Sequence, residues 1–189
     1  MEDKINNIFI TGLPKVGKTT LIKKLIYEFP EKIIGFFTEE ILDNTNQRIG
    51  FKIETTEKGS SIFAVKHNAK NIISDYSNHK IEHYKKYDIF IDVLENIGVK
   101  FIEDRLENKD KKYCIVIDEI GAMECLSEKF CSIVIKIINS QIPFIATVRY
   151  KSHPFTDDIK KIRNSKIFIL ERKNFDFVFK EVKKWVKNL

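Results

Sequence analysis

Residues 5–29, "INNIFITGLPKVGKTTLIKKLIYEF", limit the fold of this chain more than any other stretch. The apolar run 5–11 reads as a strand. Residues 18–29 carry Leu21, Leu25, Ile26 and Phe29 at helical spacing until Pro30 stops the helix. Between them lies Gly12-Leu13-Pro14-Lys15-Val16-Gly17-Lys18-Thr19, which satisfies the pattern G-x-x-x-x-G-K-[ST]. A loop with a glycine at either end curls tightly and turns consecutive backbone N–H groups inward. The helix opening at Lys18 points the positive end of its dipole into the same space. That cradle suits a polyphosphate. Gly12, Leu13, Pro14, Lys15, Val16, Gly17, Lys18, Thr19 and Thr20 are the expected nucleotide-binding residues. Lys18 reaches towards the β- and γ-phosphates, and the Thr19 hydroxyl suits Mg²⁺.

A second stretch, 113–124, reads "YCIVIDEIGAME", an apolar strand ending in two adjacent carboxylates, Asp118 and Glu119. Two anions at a strand tip repel and need a positive neighbour. Further strands are expected at 32–41, 49–56, 61–65, 143–148 and 166–170. Helices are expected at 91–106, 127–139 with Ser127 as N-cap, 156–164, and 174–188 with Asn174 as cap. This alternation predicts one α/β domain over 1–189, a mostly parallel doubly wound sheet with helices on both faces. Residues 32–41 and 49–56 form an inserted β-hairpin closed through "DNTNQ", and polar 66–86 reads as a mobile loop. Ligands of such sheets sit at the carboxyl ends of the strands. Asp118 is therefore expected to hold Mg²⁺ beside the loop, and Glu119 to orient or deprotonate an attacking water.

The formal net charge of +6 raises the question of a nucleic-acid partner, but only five of the 33 basic residues are Arg and they are scattered. No apolar run is long enough to span a membrane, and the N-terminus lacks a signal pattern, so a cytoplasmic monomer is expected. Three cysteines with no paired spacing do not form a disulfide framework. His79 and His83, four apart, would share one helix face, yet no third ligand for zinc stands nearby in sequence. Arg48, Arg149 and Arg163 are candidates for a second cation at the γ-phosphate, with Arg149 favoured because it follows the strand ending "IATV". Glu39 and Glu40 are the runners-up to Glu119 as base. The phenylalanines of the last helix, Phe175, Phe177 and Phe179, are expected to pack on the sheet or on a neighbour and not to stack on a base.

Several stretches in order resemble the thermophile-type nucleoside-triphosphatases, also called cancer-related nucleoside-triphosphatases. They are "GLPKVGKTTL", "GFFTEEI", "RIGFKIETT", "YCIVIDEIGAMEC", "PFIATV" and "HPFTDDIKKIR". The resemblance implies a P-loop NTPase fold with RecA-like relatives. It also implies hydrolysis of ATP, GTP and other nucleoside triphosphates to diphosphate and phosphate with little base selectivity. Glu119 matches the position of the water-activating Glu in those relatives. Lys18 as its catalytic companion, and Thr19 with Asp118 as metal ligands, rest on the loop motif and the acidic strand end. Lys15 departs from the pattern, which has Gly there. Two other readings stay open. One is a small-molecule or nucleotide kinase, and the other is an ATPase that gates binding to RNA or DNA.

Overall fold

The computed structural model describes residues 5–107 and 113–189. The first four residues, part of the stretch read for a signal pattern, lie outside it. The elements in order are β1 (Asn7–Thr11), α1 (Lys18–Glu28), β2 (Ile33–Leu42), β3 (Arg48–Thr55), β4 (Ser60–Lys66), β5 (Ile81–Tyr84) and β6 (Tyr87–Phe90). Then come α2 (Ile91–Val93), α3 (Lys100–Glu107), β7 (Cys114–Ile120), α4 (Glu128–Asn139), β8 (Phe144–Val148), α5 (Pro154–Ile159), β9 (Ser165–Ile169) and α6 (Phe175–Lys187). A π-helical stretch, Leu94–Val99, joins α2 to α3.

All nine described strands join one sheet in the order β5-β6-β4-β3-β2-β7-β8-β1-β9. From β2 to β9 the neighbours are parallel, and from β2 to β5 they are antiparallel. The sheet is thus evenly mixed rather than mostly parallel. The expected hairpin is not an insert either. Its first strand, β2, pairs in parallel with β7 on one side and antiparallel with β3 on the other, so the pair is where the sheet reverses direction. Its turn closes as the sequence suggests, the Asp43 carboxylate accepting from the N–H groups of Thr45 and Gln47.

Strands buried on both faces read as unbroken apolar runs. β1 and β8 are buried throughout, and β7 at all but Glu119. Successive side chains point to opposite faces and so divide between two cores. Ile8, Ile10, Cys114 and Val116 meet Leu21, Ile22 and Leu25 of α1 and Val178, Val182 and Val186 of α6. On the other face Phe9, Ile115, Ile117 and Phe144 meet Leu94, Val99, Ile102 and the apolar side of α4 (Phe130, Ile133, Val134, Ile137). Helices therefore cover both faces. Ser127 caps α4 as expected, its Oγ accepting from the Phe130 N–H at 3.1 Å and donating to Glu95 at 2.8 Å. Asn174 precedes α6 but does not cap it. Its side chain instead accepts from the Glu171 N–H and donates to the Ile169 carbonyl.

The largest departure from the sequence reading is 66–86. It holds two 3₁₀ turns, the whole of β5 and a hairpin to β6. The reason is position: β5 is the sheet's edge, where polar and charged side chains protect an exposed strand and imitate loop composition. His79 and His83 consequently do not share a helix face, since His83 lies on β5 and His79 precedes it.

Candidate active site at the carboxyl ends of the parallel strands

β1, β7 and β8 run parallel, so the segments leaving their carboxyl ends emerge on one edge of the sheet. The loop 12–17 leaves β1 and turns into α1 at Gly17, whose φ of 105° is left-handed. A Cβ on Gly17 would also press the Phe175 ring at 3.2 Å, and one on Gly12 would strike the Leu170 carbonyl oxygen at 2.4 Å. Both glycines are thus required by the backbone path. Lys15 occupies φ 65°, so the side chain at this position is held in a region that favours glycine. Leu13, Pro14, Lys15 and Thr20 are exposed, while Val16, Lys18 and Thr19 are half-buried. The Lys18 ammonium bends over the loop, donating to the carbonyls of Gly12 at 3.2 Å and Leu13 at 3.4 Å, and lies 3.9 Å from Glu119.

Asp118 is brought to this loop. It is 1% exposed, and Thr147 on the neighbouring β8 donates to its Oδ1. Its Oδ2 is buried with no hydrogen-bond partner among the described residues. Burial pushes the Asp118 carboxyl above its ordinary range, and the hydroxyls of Thr147 and Thr19 and the Lys18 charge only partly oppose it. Glu119 faces the opening. Burial raises it too, Lys18 and Arg149 pull it down, and the Asp118 charge pushes it up. Behind it lies Glu124, fully buried, pushed up to about 8 by burial and by the Glu119 and Asp118 charges. Space there is tight: a Cβ on Gly121 would lie 2.6 Å from Glu124 Oε2 and 3.4 Å from Glu119 Oε1.

The arginine candidates separate by position. Arg48 is tied to Glu40 at 2.6 Å and to the Tyr87 hydroxyl at 3.0 Å. Arg163 precedes β9 and so lies at the opposite edge of the sheet. Arg149 follows β8 at the site, near enough to lower the Glu119 pKa. Its Nε is buried without a partner among the described residues, and its Nη1 donates to Tyr84 of β5 at 3.4 Å. Of the alternative bases, Glu39 is paired with Lys23 and Lys52 and Glu40 with Arg48, so both are neutralised. Phe175 and Phe179 stack on one another under Lys24, whereas Phe177 is exposed and does not pack on the sheet.

Thr147, Glu124 and Tyr84 were not singled out by the sequence. Thr147 had a signal, a polar residue inside the apolar run "PFIATV", and Glu124 stood in the quoted acidic stretch. Tyr84 had none.

A glycine-bounded loop leading from a buried parallel strand into a helix, facing a buried aspartate two strands away, defines the P-loop class of nucleotide-binding proteins. Residues 7–183 match the family model described as NTPase. A nucleoside-triphosphatase THEP1 from Thermotoga sp. (strain RQ2) is 40% identical over 175 residues, 93% of this chain and 92% of that protein. The crystal structure of THEP1 from Aquifex aeolicus superposes with a TM-score of 0.80 at 31% identity, covering 95% of this chain and 98% of that one. The solution structure of a human cancer-related nucleoside triphosphatase shares the fold, with a TM-score of 0.75 at 23% identity over 97% and 98% of the two chains. The chain belongs to the THEP1 nucleoside-triphosphatase family. No described helix is long and apolar enough to cross a membrane.

Proposed function

We propose that this chain hydrolyses the β–γ phosphoanhydride of nucleoside triphosphates, releasing nucleoside diphosphate and phosphate in a Mg²⁺-dependent reaction. The observation that carries the reading is Asp118 Oδ2, buried and without a hydrogen-bond partner among the described residues, close to Thr19 and Lys18 of the loop. A carboxylate oxygen left without a partner in an apolar site is costly unless a cation completes it. Oxygen donors of this kind fit Mg²⁺, which Thr19 and Asp118 would hold and which would neutralise charge on the phosphate oxygens.

The loop N–H groups and the start of α1 bind and orient the phosphate chain. Lys18, now on the Gly12 and Leu13 carbonyls, exchanges them for phosphate oxygens. Glu119 holds the water in line with the γ-phosphorus and takes its proton as the new P–O bond forms. The bond to the bridging oxygen breaks, and the electron pair leaves with the diphosphate. Raised above an ordinary glutamate by burial, Glu119 is a better base than an exposed one. Arg149 supplies positive charge in cis as the transition state spreads charge over the γ-oxygens. ATP and GTP are both substrates in this reading, in keeping with relatives named for the triphosphate and not for a base. The enzyme acts as a cytoplasmic monomer.

The test is phosphate release with no acceptor present, with and without EDTA. Wild-type turnover should need Mg²⁺, and Glu119→Gln should keep nucleotide binding while losing about 10²–10⁴-fold in turnover. Phosphate transfer only when an alcohol or nucleotide acceptor is added would make the chain a kinase. Undiminished hydrolysis by Glu119→Gln would remove Glu119 from its role.

A further inference from the structure

On the antiparallel wing, sharing no residue with the phosphate loop, His67, His83 and Asp88 converge. Their ligand atoms lie within 4.8 Å of one another. Pairing in the sheet produces this. His83 on β5 stands directly opposite Asp88 on β6, and His67 follows Lys66, which pairs with Tyr87. Sequence spacing had suggested His79 as the companion of His83, but His79 turns to Asp92 at 2.8 Å.

We propose that His67, His83 and Asp88 form a binding site for a divalent transition metal, with zinc the type case. Asp88 Oδ1 lies 3.2 Å from His67 Nε2 and 2.6 Å from His83 Nδ1. Tetrahedral ligands about 2.0–2.1 Å from zinc stand roughly 3.3 Å apart, so the cluster needs only a slight opening to admit the ion. The other oxygen, Oδ2, is already occupied: Tyr76 donates to it at 2.7 Å and Lys70 at 3.2 Å. Such outer partners fix a ligating carboxylate and leave Oδ1, which faces the two imidazoles, as the oxygen for the metal. Asp88 is fully buried while the side chains of His67 and His83 are 47% and 68% exposed, which gives the ion a rigid anchor and an open coordination position towards solvent. Entry of the metal requires no net oxidation and no group transfer. Each neutral imidazole moves its proton to its remote ring nitrogen, and the metal replaces two N–H donors on Oδ1.

Two imidazoles and one carboxylate favour Zn²⁺, Ni²⁺ or Cu²⁺ over Mg²⁺ or Ca²⁺. The Lys70 ammonium beside Oδ2 opposes the ion electrostatically and should keep affinity moderate.

The experiment uses untagged, metal-stripped, nucleotide-free protein carrying Cys125→Ser and Cys131→Ser, which removes the competing thiols. Co²⁺ should give visible ligand-field bands that Zn²⁺ abolishes at one equivalent, near neutral pH. His67→Ala and His83→Ala, at exposed positions, should each weaken Zn²⁺ binding by about tenfold or more. Lys70→Met should tighten it. Equal Zn²⁺ affinity in wild type and both histidine variants, or no binding well above micromolar Zn²⁺, would reduce the cluster to an ion-pair clasp and overturn the proposal. Tighter binding in Lys70→Met that survives His83→Ala would place the metal elsewhere and overturn it equally.

Discussion

Asp118 and Asp88 are both aspartates buried in the same sheet, and they are treated in opposite ways. Asp118 accepts from Thr147 on Oδ1, and its Oδ2 has no hydrogen-bond partner within bonding geometry among the described residues. Burial raises its pKa against the nearby Thr19 hydroxyl and Lys18 charge. Asp88 is buried as deeply, and burial alone would raise it too. Donors on both oxygens, from Tyr76, Lys70 and His83, outweigh that penalty and lower its pKa. A completed carboxylate contributes to stability, whereas an incomplete one is held at a cost that only a ligand removes. The difference separates the parallel half of the sheet, which carries the candidate phosphate site, from the antiparallel wing, where Asp88 is already held by its neighbours.

The comparison breaks first if Asp118→Asn proves harmless to turnover. It should lower phosphate release by about 10²–10³-fold, as loss of a charge that stabilises the transition state does. Its unfolding midpoint in urea should equal or exceed wild type, because the amide is uncharged and the desolvation cost of a buried carboxylate is gone. Asp88→Asn should do the reverse to the fold. It should lose about 3 kcal/mol in urea unfolding, the low end for a broken buried pair because Lys70 and His83 reach solvent.

The pH dependence of stability sharpens the contrast. Asp88 is lowered in the folded state, so its contribution is full above about pH 4, the unfolded aspartate value, and is lost as pH falls through the folded one. Glu124 behaves oppositely. An unfolded glutamate loses its proton near pH 4.3 while folded Glu124 keeps its own to about 8, so stability falls as pH rises between them. The slope for one such group approaches about 1.4 kcal/mol per pH unit. Glu124→Gln should flatten that decline in a series of urea melts by the share of this one group, leaving the like-signed contributions of Asp118 and Glu119. An unchanged slope would mean that Glu124 is ionised in the folded protein. The smallest effect belongs to Lys15→Gly. Relief at φ 65° is nearly offset by the greater freedom of glycine in the unfolded chain, and the unfolding midpoint should move by no more than about 0.5 kcal/mol.

Much of the candidate site was legible because its signals are local. Gly12, Gly17 and Lys18 act through backbone path and helix start within a single strand–loop–helix unit, and Asp118 ends a run too apolar to be anything but a buried strand. Its partner Thr147 and the arginine at its side were legible only in outline, since a residue after a strand is placed by which strand lies next to it. The wing was misread for a related reason. The polarity of 66–86 belongs to the sheet edge, and edge position is a property of strand order.

Periodicity, glycine placement and capping by themselves determined the strand–loop–helix cradle, the helices on both faces and the acidic tip of β7, because each depends on contacts within a few residues. Strand order and register decided the rest. They set Thr147 on Asp118, brought Arg149 near Glu119 while binding Arg48 to Glu40, and closed His67 and His83 onto Asp88. Whether a buried charge is completed or left open depends on donors distant in sequence. Only the packed sheet, by excluding water, makes that difference costly enough to matter.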